Sequence, residues 1–174
     1  MSIRLFILGT LASGNNHPYM IKKKLFDALP ISIQREMSEG KFYYNFEALQ
    51  KKGLIETVEV IHEKNRPDKT LYSITEAGKQ ALEHEIYESF KKISNVKDLY
   101  ISIYLLDFVD TDKVALFFEE TIEQEKEQWK QYAELKGPYE KCDPKAHFII
   151  EHAFDKATFN IQWMEKLLAF IRSN

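Results

Sequence analysis

Apolar and polar positions along the chain follow two periodicities, which predict two kinds of element. Apolar residues three and four positions apart predict helices over residues 3–12, 18–29 and 38–52. β-Branched residues at nearly every other place then predict strands over 56–61 and 70–74, with a polar tip between them. The helical pattern returns afterwards and continues to the end of the sequence. It predicts helices over residues 75–93, 96–108, 111–135 and 144–172.

Local signals mark where several of these helices begin and end. Pro18 suits the first turn of the second helix, and Ser38 is a good N-cap for the third. Gly53 suits a helix C-terminus. Thr75 is the expected cap of the helix after the hairpin, with Gly78 tolerated inside it. The segment from residue 38 to 55 is therefore expected to be a capped helix that stops at a glycine and leads directly into a β-ribbon.

The third helix has two faces of different character. Phe42, Phe46 and Leu49 have the spacing of a core-facing stripe. A second, polar face carries Lys41, Tyr44, Asn45 and Ala48. Three helices followed by a hairpin form the winged variant of the helix-turn-helix. The predicted fold is therefore mainly α, with an N-terminal winged helix-turn-helix and β-hairpin wing over 1–82 and an all-α C-terminal domain over 83–174.

A winged helix-turn-helix places its third helix in the DNA major groove, where polar side chains meet base edges. Lys41, Tyr44 and Asn45 are the candidates for the groove, and Tyr43 for a phosphate. Further cations are expected to contact the DNA. Three lie at the wing tip, where a minor-groove or backbone contact is expected: Lys64, Arg66 and Lys69. Others on the helices could contact the DNA backbone: Lys22, Lys23, Lys24, Lys51 and Lys52. Each charged residue alone is more often only solvated, so the ordered combination of elements is the stronger signal.

Charge and cysteine content narrow the class of protein. The net charge is −3, but residues 1–80 hold 12 Lys and Arg against 9 Asp and Glu, a balance of +3, and residues 81–174 hold 12 against 18, a balance of −6. A mildly basic front half fits a binding head for nucleic acid. The single cysteine, Cys142, cannot form an internal disulfide, which favours a reducing, cytoplasmic location. No apolar run approaches the roughly 20 residues of a membrane span.

The chain resembles the PadR family of transcriptional regulators over residues 1–82. In the first two helices the resemblance is carried by residues 7–11, Gly14 and residues 19–21. In the third helix and after it, the matching residues are Gly40-Lys41-Phe42-Tyr43, Phe46, Leu49 and 53–55. After the hairpin, residues 72–78 also match. Tyr44 departs from the family, in which proline is common at this place. The three helices after residue 95 look like the longer subfamily, whose all-helical C-terminal domain makes the dimer and helps to sense ligands.

The last helix is similar to that of the repressors of phenolic acid decarboxylase genes. By that similarity His147 is the first candidate for holding a ligand carboxylate or hydroxyl, and Trp129, Tyr132 and Trp163 are candidates for an aromatic pocket. Histidines at such positions are more often solvated, and aromatic groups of this kind more often form a core or a dimer interface. The sequence leaves these alternatives open.

Other chemistries have little support in the sequence. His147, Glu151 and Asp155 recur every four residues, but no second helix supplies obvious partners for a metal. We find no phosphate-binding glycine loop and no nucleophile elbow. The sequence therefore predicts a protein without a bound cofactor and without enzymatic activity. The sequence predicts a homodimeric repressor that binds a palindromic operator in double-stranded DNA and is released by a small phenolic or aromatic effector. The alternatives are a ligand-independent regulator and a winged-helix protein-interaction module.

Overall fold

The structure is a computed structural model that describes residues 3–30, 38–61, 69–93, 95–134 and 143–173. These residues form two compact units. The first contains residues 1–89 and 97–109, and the second contains 90–96 and 110–174. The elements, in chain order, are α1 (Ile3–Ala12), α2 (Pro18–Ala28), α3 (Glu39–Lys51), β1 (Ile55–Ile61), β2 (Lys69–Ile74), α4 (Glu76–Lys91), α5 (Leu99–Tyr104), α6 (Thr111–Glu134) and α7 (Pro144–Ser173). Among the described residues, no helix is long and apolar enough to cross a membrane.

The core of the first unit forms around α1. This helix has no polar face, and every residue from Leu5 to Leu11 is buried, as its sequence predicts. Helix α2 contributes Ile21 and Leu25, and α3 contributes the predicted stripe. The rings of Phe42 and Phe46 pack edge to face with their centroids 5.3 Å apart. The polar side of α3 is left facing outward because its apolar side is used in this core.

The hairpin forms as an antiparallel pair in which Ile55 lies opposite Ile74 and Ile61 opposite Lys69. A bulge between Thr57 and Glu59 shifts the register. The turn between α1 and α2 joins β2, because Asn16 and Tyr72 exchange two backbone hydrogen bonds of 3.1 Å. The wing is thus fastened to the helices by main-chain bonds.

Helix α4 begins as its sequence predicts. The Thr75 hydroxyl accepts a hydrogen bond from the Gly78 backbone N–H at 3.0 Å and donates one to the Gly53 carbonyl at 2.7 Å. A Cβ at Gly78 would collide with the carbonyl oxygen of Leu54, so the helix and the start of the wing can approach only at a glycine. The Thr75 side chain therefore links the end of α3 to the start of α4.

The prediction of one continuous helix over 96–108 is wrong. This segment is divided into a 3₁₀ turn (Val96–Asp98), α5 and a second 3₁₀ turn (Leu106–Phe108). Residues 97–109 group with the first unit. The backbone leaves the helix at Leu105 (φ −110°, ψ 17°), whose buried side chain lies against Gly9 of α1. Packing on α1 therefore outweighs the local helical pattern. The division between the two units falls inside α4, after Ser89.

The second unit is built on the long helices α6 and α7. Val114, Phe118 and Ile122 on α6, and Met164, Leu167 and Ile171 on α7, are buried. The rings of Phe90 and Phe118 pack edge to face at 5.3 Å, and the buried Thr121 hydroxyl donates to the Phe90 carbonyl at 2.9 Å. Two ion pairs join α6 to α7, from Lys126 to Glu165 at 2.9 Å and from Arg172 to Glu119 at 2.7 Å.

Candidate nucleic-acid interface

Local chemistry fixes both ends of α3. The Ser38 hydroxyl accepts a hydrogen bond from the Lys41 backbone N–H at 3.3 Å, which confirms the predicted N-cap. At the other end Gly53 adopts φ +68°, a left-handed conformation that glycine takes without strain. The Leu54 N–H then bonds to the Leu49 carbonyl at 3.0 Å, and β1 starts at the next residue. The helix is thus held at both ends while its outer face stays open.

The outer face of α3 carries four exposed side chains that point away from the Phe42, Phe46 and Leu49 stripe: Lys41, Tyr44, Glu47 and Lys51. We call this set the outer face of α3. Tyr44 is 69% exposed. Tyr43 lies at the border, 44% exposed, with its ring edge-on to Phe42 at 5.7 Å. The predicted residues Lys41, Tyr43 and Tyr44 are therefore accessible to a partner. Glu47 and Lys51 complete the face. Glu47 is not among the residues predicted from the sequence.

Asn45 is less available than the other candidates. Its side chain is partly buried, and its amide donates a 2.6 Å hydrogen bond to the Lys41 carbonyl of the same helix. This local bond uses one of the two N–H donors of the Asn45 amide. The helical position places Asn45 between the core stripe and the outer face, which is why its donor finds a backbone partner.

An ion pair connects α2 to the first turn of α3. The Lys22 ammonium lies 2.6 Å from the Glu39 carboxylate, and this hydrogen bond, reinforced by the charge of Lys22, lowers the pKa of Glu39. Lys22 is thereby engaged within the protein, whereas the side chains of Lys23 and Lys24 are exposed. Of the three predicted backbone contacts on α2, Lys22 therefore also has a structural partner.

The wing contributes Lys69, the exposed first residue of β2. Lys64 and Arg66, the other two predicted wing contacts, lie outside the described residues. On the opposite strand, Glu56 and Glu59 are exposed, so the described part of β1 is acidic. Tyr72 of β2 packs its ring 5.2 Å from Phe46. The pKa of Tyr72 is raised, first by burial and then by the charge of Glu47.

The predicted ligand residues are only partly brought together in the second unit. Trp129 contacts Tyr132 and Phe154, with ring centroids 5.7 and 5.4 Å apart. It also borders two hollows, a cavity of about 330 Å³ and a more open groove of about 410 Å³, the second of which Tyr132 lines as well. His147 is exposed near the start of α7, and neither His147 nor Trp163 lines either hollow.

The cavity also contains polar residues that were not predicted from the sequence. Glu125 of α6 and Lys156 and Asn160 of α7 line it together with Trp129 and Met164. Lys156 and Asn160 are four residues apart and follow Ala153 and Ala157, whose small side chains leave room beside them. That spacing was visible in the sequence. The cavity offers one cation, one carboxylate and an indole ring to a small molecule.

Comparison with known proteins gives one family and several solved structures. The sequence model of the transcriptional regulator PadR-like family matches residues 7–84. No functionally curated protein sequence matches the chain. Among solved structures, the chain is similar to Bacillus subtilis PadR in complex with operator DNA, at 22% identity over 97% of this chain and 98% of that one, with a TM-score of 0.41.

Two further structures cover nearly the whole chain. Bacillus subtilis PadR in complex with p-coumaric acid is 21% identical over 98% of both chains, with a TM-score of 0.39. The Vibrio cholerae virulence activator AphA is 20% identical over 99% of both chains, with a TM-score of 0.39. The match to residues 7–84 takes in the capped α3, the wing and the start of α4. Over these residues the chain therefore carries a domain of the transcriptional regulator PadR-like family.

Proposed function

We propose that this regulator acts as a homodimeric repressor that binds a palindromic operator through α3 and is released by a small aromatic anion. The observation that carries the DNA-binding part is the outer face of α3. This helix buries its apolar stripe, is capped at both ends and leaves Lys41 and Tyr44 exposed beside the wing. A helix held rigidly with polar side chains outward is what major-groove recognition requires.

The dimer is supported by the second unit. Helix α7 exposes large apolar side chains, among them Phe148 at 73% and Phe159 at 67%. Exposed apolar groups in such number mark association surfaces, and a second copy of the chain would cover them in a symmetric pair. A dimer also presents two copies of α3, which must lie about 34–36 Å apart to enter successive major grooves.

The effector is supported by the cavity beside Trp129. A volume of about 330 Å³ suits a small molecule, and the ammonium of Lys156 would attract a carboxylate while the Trp129 ring provides an apolar wall. A ligand that binds one dimer geometry better than another shifts the population toward it. The dimer is released from DNA if the ligand-bound geometry changes the distance between the two α3 helices, so that they no longer fit successive major grooves.

Selection of bound duplexes from a random DNA pool tests the DNA-binding part. We expect a palindromic site with half-sites about one helical turn apart. Recovery of a site without twofold symmetry would contradict the dimeric repressor. Failure of every duplex to bind would favour the winged-helix interaction module instead.

Calorimetry with p-coumaric acid, the compound held by the Bacillus subtilis protein, tests the effector part. Lys156→Met should weaken binding about tenfold, because a charge-assisted hydrogen bond contributes about 1.5–3 kcal/mol. Lys166→Met is the matched control, since Lys166 is exposed on the same helix and does not line the cavity. Absence of binding, or binding that leaves operator affinity unchanged, would leave a ligand-independent regulator.

A further inference from the structure

Glu47 lies on the side of α3 opposite the core stripe. It follows Tyr44 by three residues and precedes Lys51 by four, so the three side chains are neighbours on the outer face of the helix. All three are exposed. A carboxylate here is unexpected on a surface that meets a polyanion, because it repels phosphate wherever the protein binds.

Glu47 differs from two other carboxylates of the first unit in its contacts. Glu39, at the start of the same helix, is paired with Lys22 at 2.6 Å, and Glu76 of α4 is paired with Lys79 at 3.2 Å. No hydrogen bond or ion pair joins Glu47 to another residue in the described parts of the chain. Lys51 stands at a spacing that permits an ion pair, yet none forms between them. Among the described residues, the carboxylate is therefore left without a hydrogen-bonding partner of its own.

The charge of Glu47 is felt by the wing. It contributes to the raised pKa of Tyr72 of β2, whose ring lies 5.2 Å from that of Phe46. The cationic donors of the outer face lie at its two ends, Lys41 at the start and Lys51 at the end. Glu47 stands between two cations as a side chain that only accepts hydrogen bonds.

Base edges in the major groove differ in what they offer to such an acceptor. Cytosine presents its N4 amino group as a donor, whereas guanine presents only the acceptors N7 and O6, and thymine presents O4 and a methyl group. Adenine offers a donor beside the N7 acceptor, which would repel the second carboxylate oxygen. An unpaired carboxylate therefore favours cytosine and penalises the other bases.

We propose that Glu47 specifies a cytosine at one position in each half-site of the operator. This inference rests on the proposed DNA-binding function and deepens it. The carboxylate reduces affinity for every duplex through repulsion and recovers the loss only where a cytosine amino group donates to it. Glu47 thus separates correct from incorrect sites mainly by rejecting the incorrect ones.

Selection from a random DNA pool, run in parallel on the intact protein and on Glu47→Gln, tests this inference. We expect the intact protein to select cytosine at one position of each half-site. Glu47→Gln should shift that position to adenine, because a carboxamide can pair with adenine N6 and N7. In direct binding measurements, each replaced cytosine should lower the affinity of the intact protein for the duplex by about tenfold or more. The Glu47→Gln variant should bind the original and the replaced duplexes with similar affinity.

Glu59→Gln is the matched control, because it removes the same charge from an exposed residue of β1 in the same unit. It should leave the selected base unchanged. If Glu47→Gln strengthens binding to all duplexes alike and selects the same sequence, Glu47 only repels phosphate and the proposal is overturned. Absence of binding by the intact protein would instead contradict the proposed function. Glu47 is exposed, so equal thermal unfolding of the variant and the intact protein confirms that folding is unaffected.

Discussion

The outer faces of α3 and α7 differ in chemistry, although each helix buries an apolar stripe in its own unit. Helix α3 exposes Lys41, Tyr44, Glu47 and Lys51, whereas α7 exposes Phe148, Ile149, Phe159 and Phe170. A polar face with unpaired charges suits a hydrated, hydrogen-bonding partner, and an apolar face suits another apolar surface. The side of a helix that faces away from its core therefore indicates what kind of partner the unit binds.

The largest expected effect on the free energy of unfolding comes from removing the buried aromatic rings. Phe42→Ala in the first unit and Phe118→Ala in the second should each lower the free energy of unfolding by about 3–5 kcal/mol, because both rings are fully buried. Urea unfolding followed by tryptophan fluorescence for the second unit and by circular dichroism for the whole chain would measure this. A loss below about 1 kcal/mol in either variant would contradict the packing described for that unit.

The next effect concerns the cap of α3. Ser38→Ala removes the hydroxyl that accepts from Lys41, and should cost about 1 kcal/mol of unfolding free energy. Ser13→Ala is the control, since Ser13 is exposed and its hydroxyl only donates back to Gly9 within the end of α1. Equal stability of the two variants in urea would show that the cap does not stabilise the first unit.

Exposed aromatic residues test the comparison of the two faces directly. Tyr44→Ala should change the unfolding free energy by no more than about 0.5 kcal/mol at any protein concentration. Phe159→Ala should destabilise the protein in a concentration-dependent way, because a residue buried between two copies links folding to association. Thermal unfolding over a hundredfold range of protein concentration distinguishes them. A concentration-independent midpoint for the intact protein would argue against the dimer.

The smallest effect is the dependence of the α2–α3 contact on pH. The pKa of Glu39 is lowered by Lys22, so the pair stabilises the fold above the pKa that Glu39 has in the unfolded chain. That contribution is lost as pH falls through the lower, folded value. An NMR titration of the Glu39 carboxyl should show a midpoint below the ordinary range, and Lys22→Met should raise it. An unchanged midpoint in the variant would assign the shift to another cause.

The first unit could be predicted largely from its sequence because its signals are local. Ser38, Gly53 and Thr75 act within a few residues of themselves, and each caps or ends a helix as predicted. The break at Leu105 could not be foreseen, since it depends on packing against α1, almost a hundred residues away. Apolar periodicity shows that a residue is buried but not which element buries it.

In the candidate sites too, local features could be predicted from the sequence, whereas contacts between distant residues could not. Helical periodicity placed Lys41 and Tyr44 outward, but it could not show that the amide of Asn45 is bound to its own helix. In the second unit Trp129 and Tyr132 do meet, whereas the cavity also takes in Lys156 and Asn160, which no motif marks. Residues that line a cavity come from several elements, so a single stretch of sequence does not reveal them together.

The dependence of DNA binding on salt tests most directly whether the outer face of α3 meets DNA. Affinity of the intact protein for its selected duplex, measured by fluorescence anisotropy between about 50 and 200 mM salt, should fall steeply, by roughly a thousandfold if six or more phosphates are contacted. Lys41→Ala should bind more weakly than the intact protein, and any Lys41 contact with phosphate should reduce the logarithmic slope by about one. Binding that is independent of salt, or a Lys41→Ala variant with unchanged affinity and slope, would contradict a DNA interface at this face.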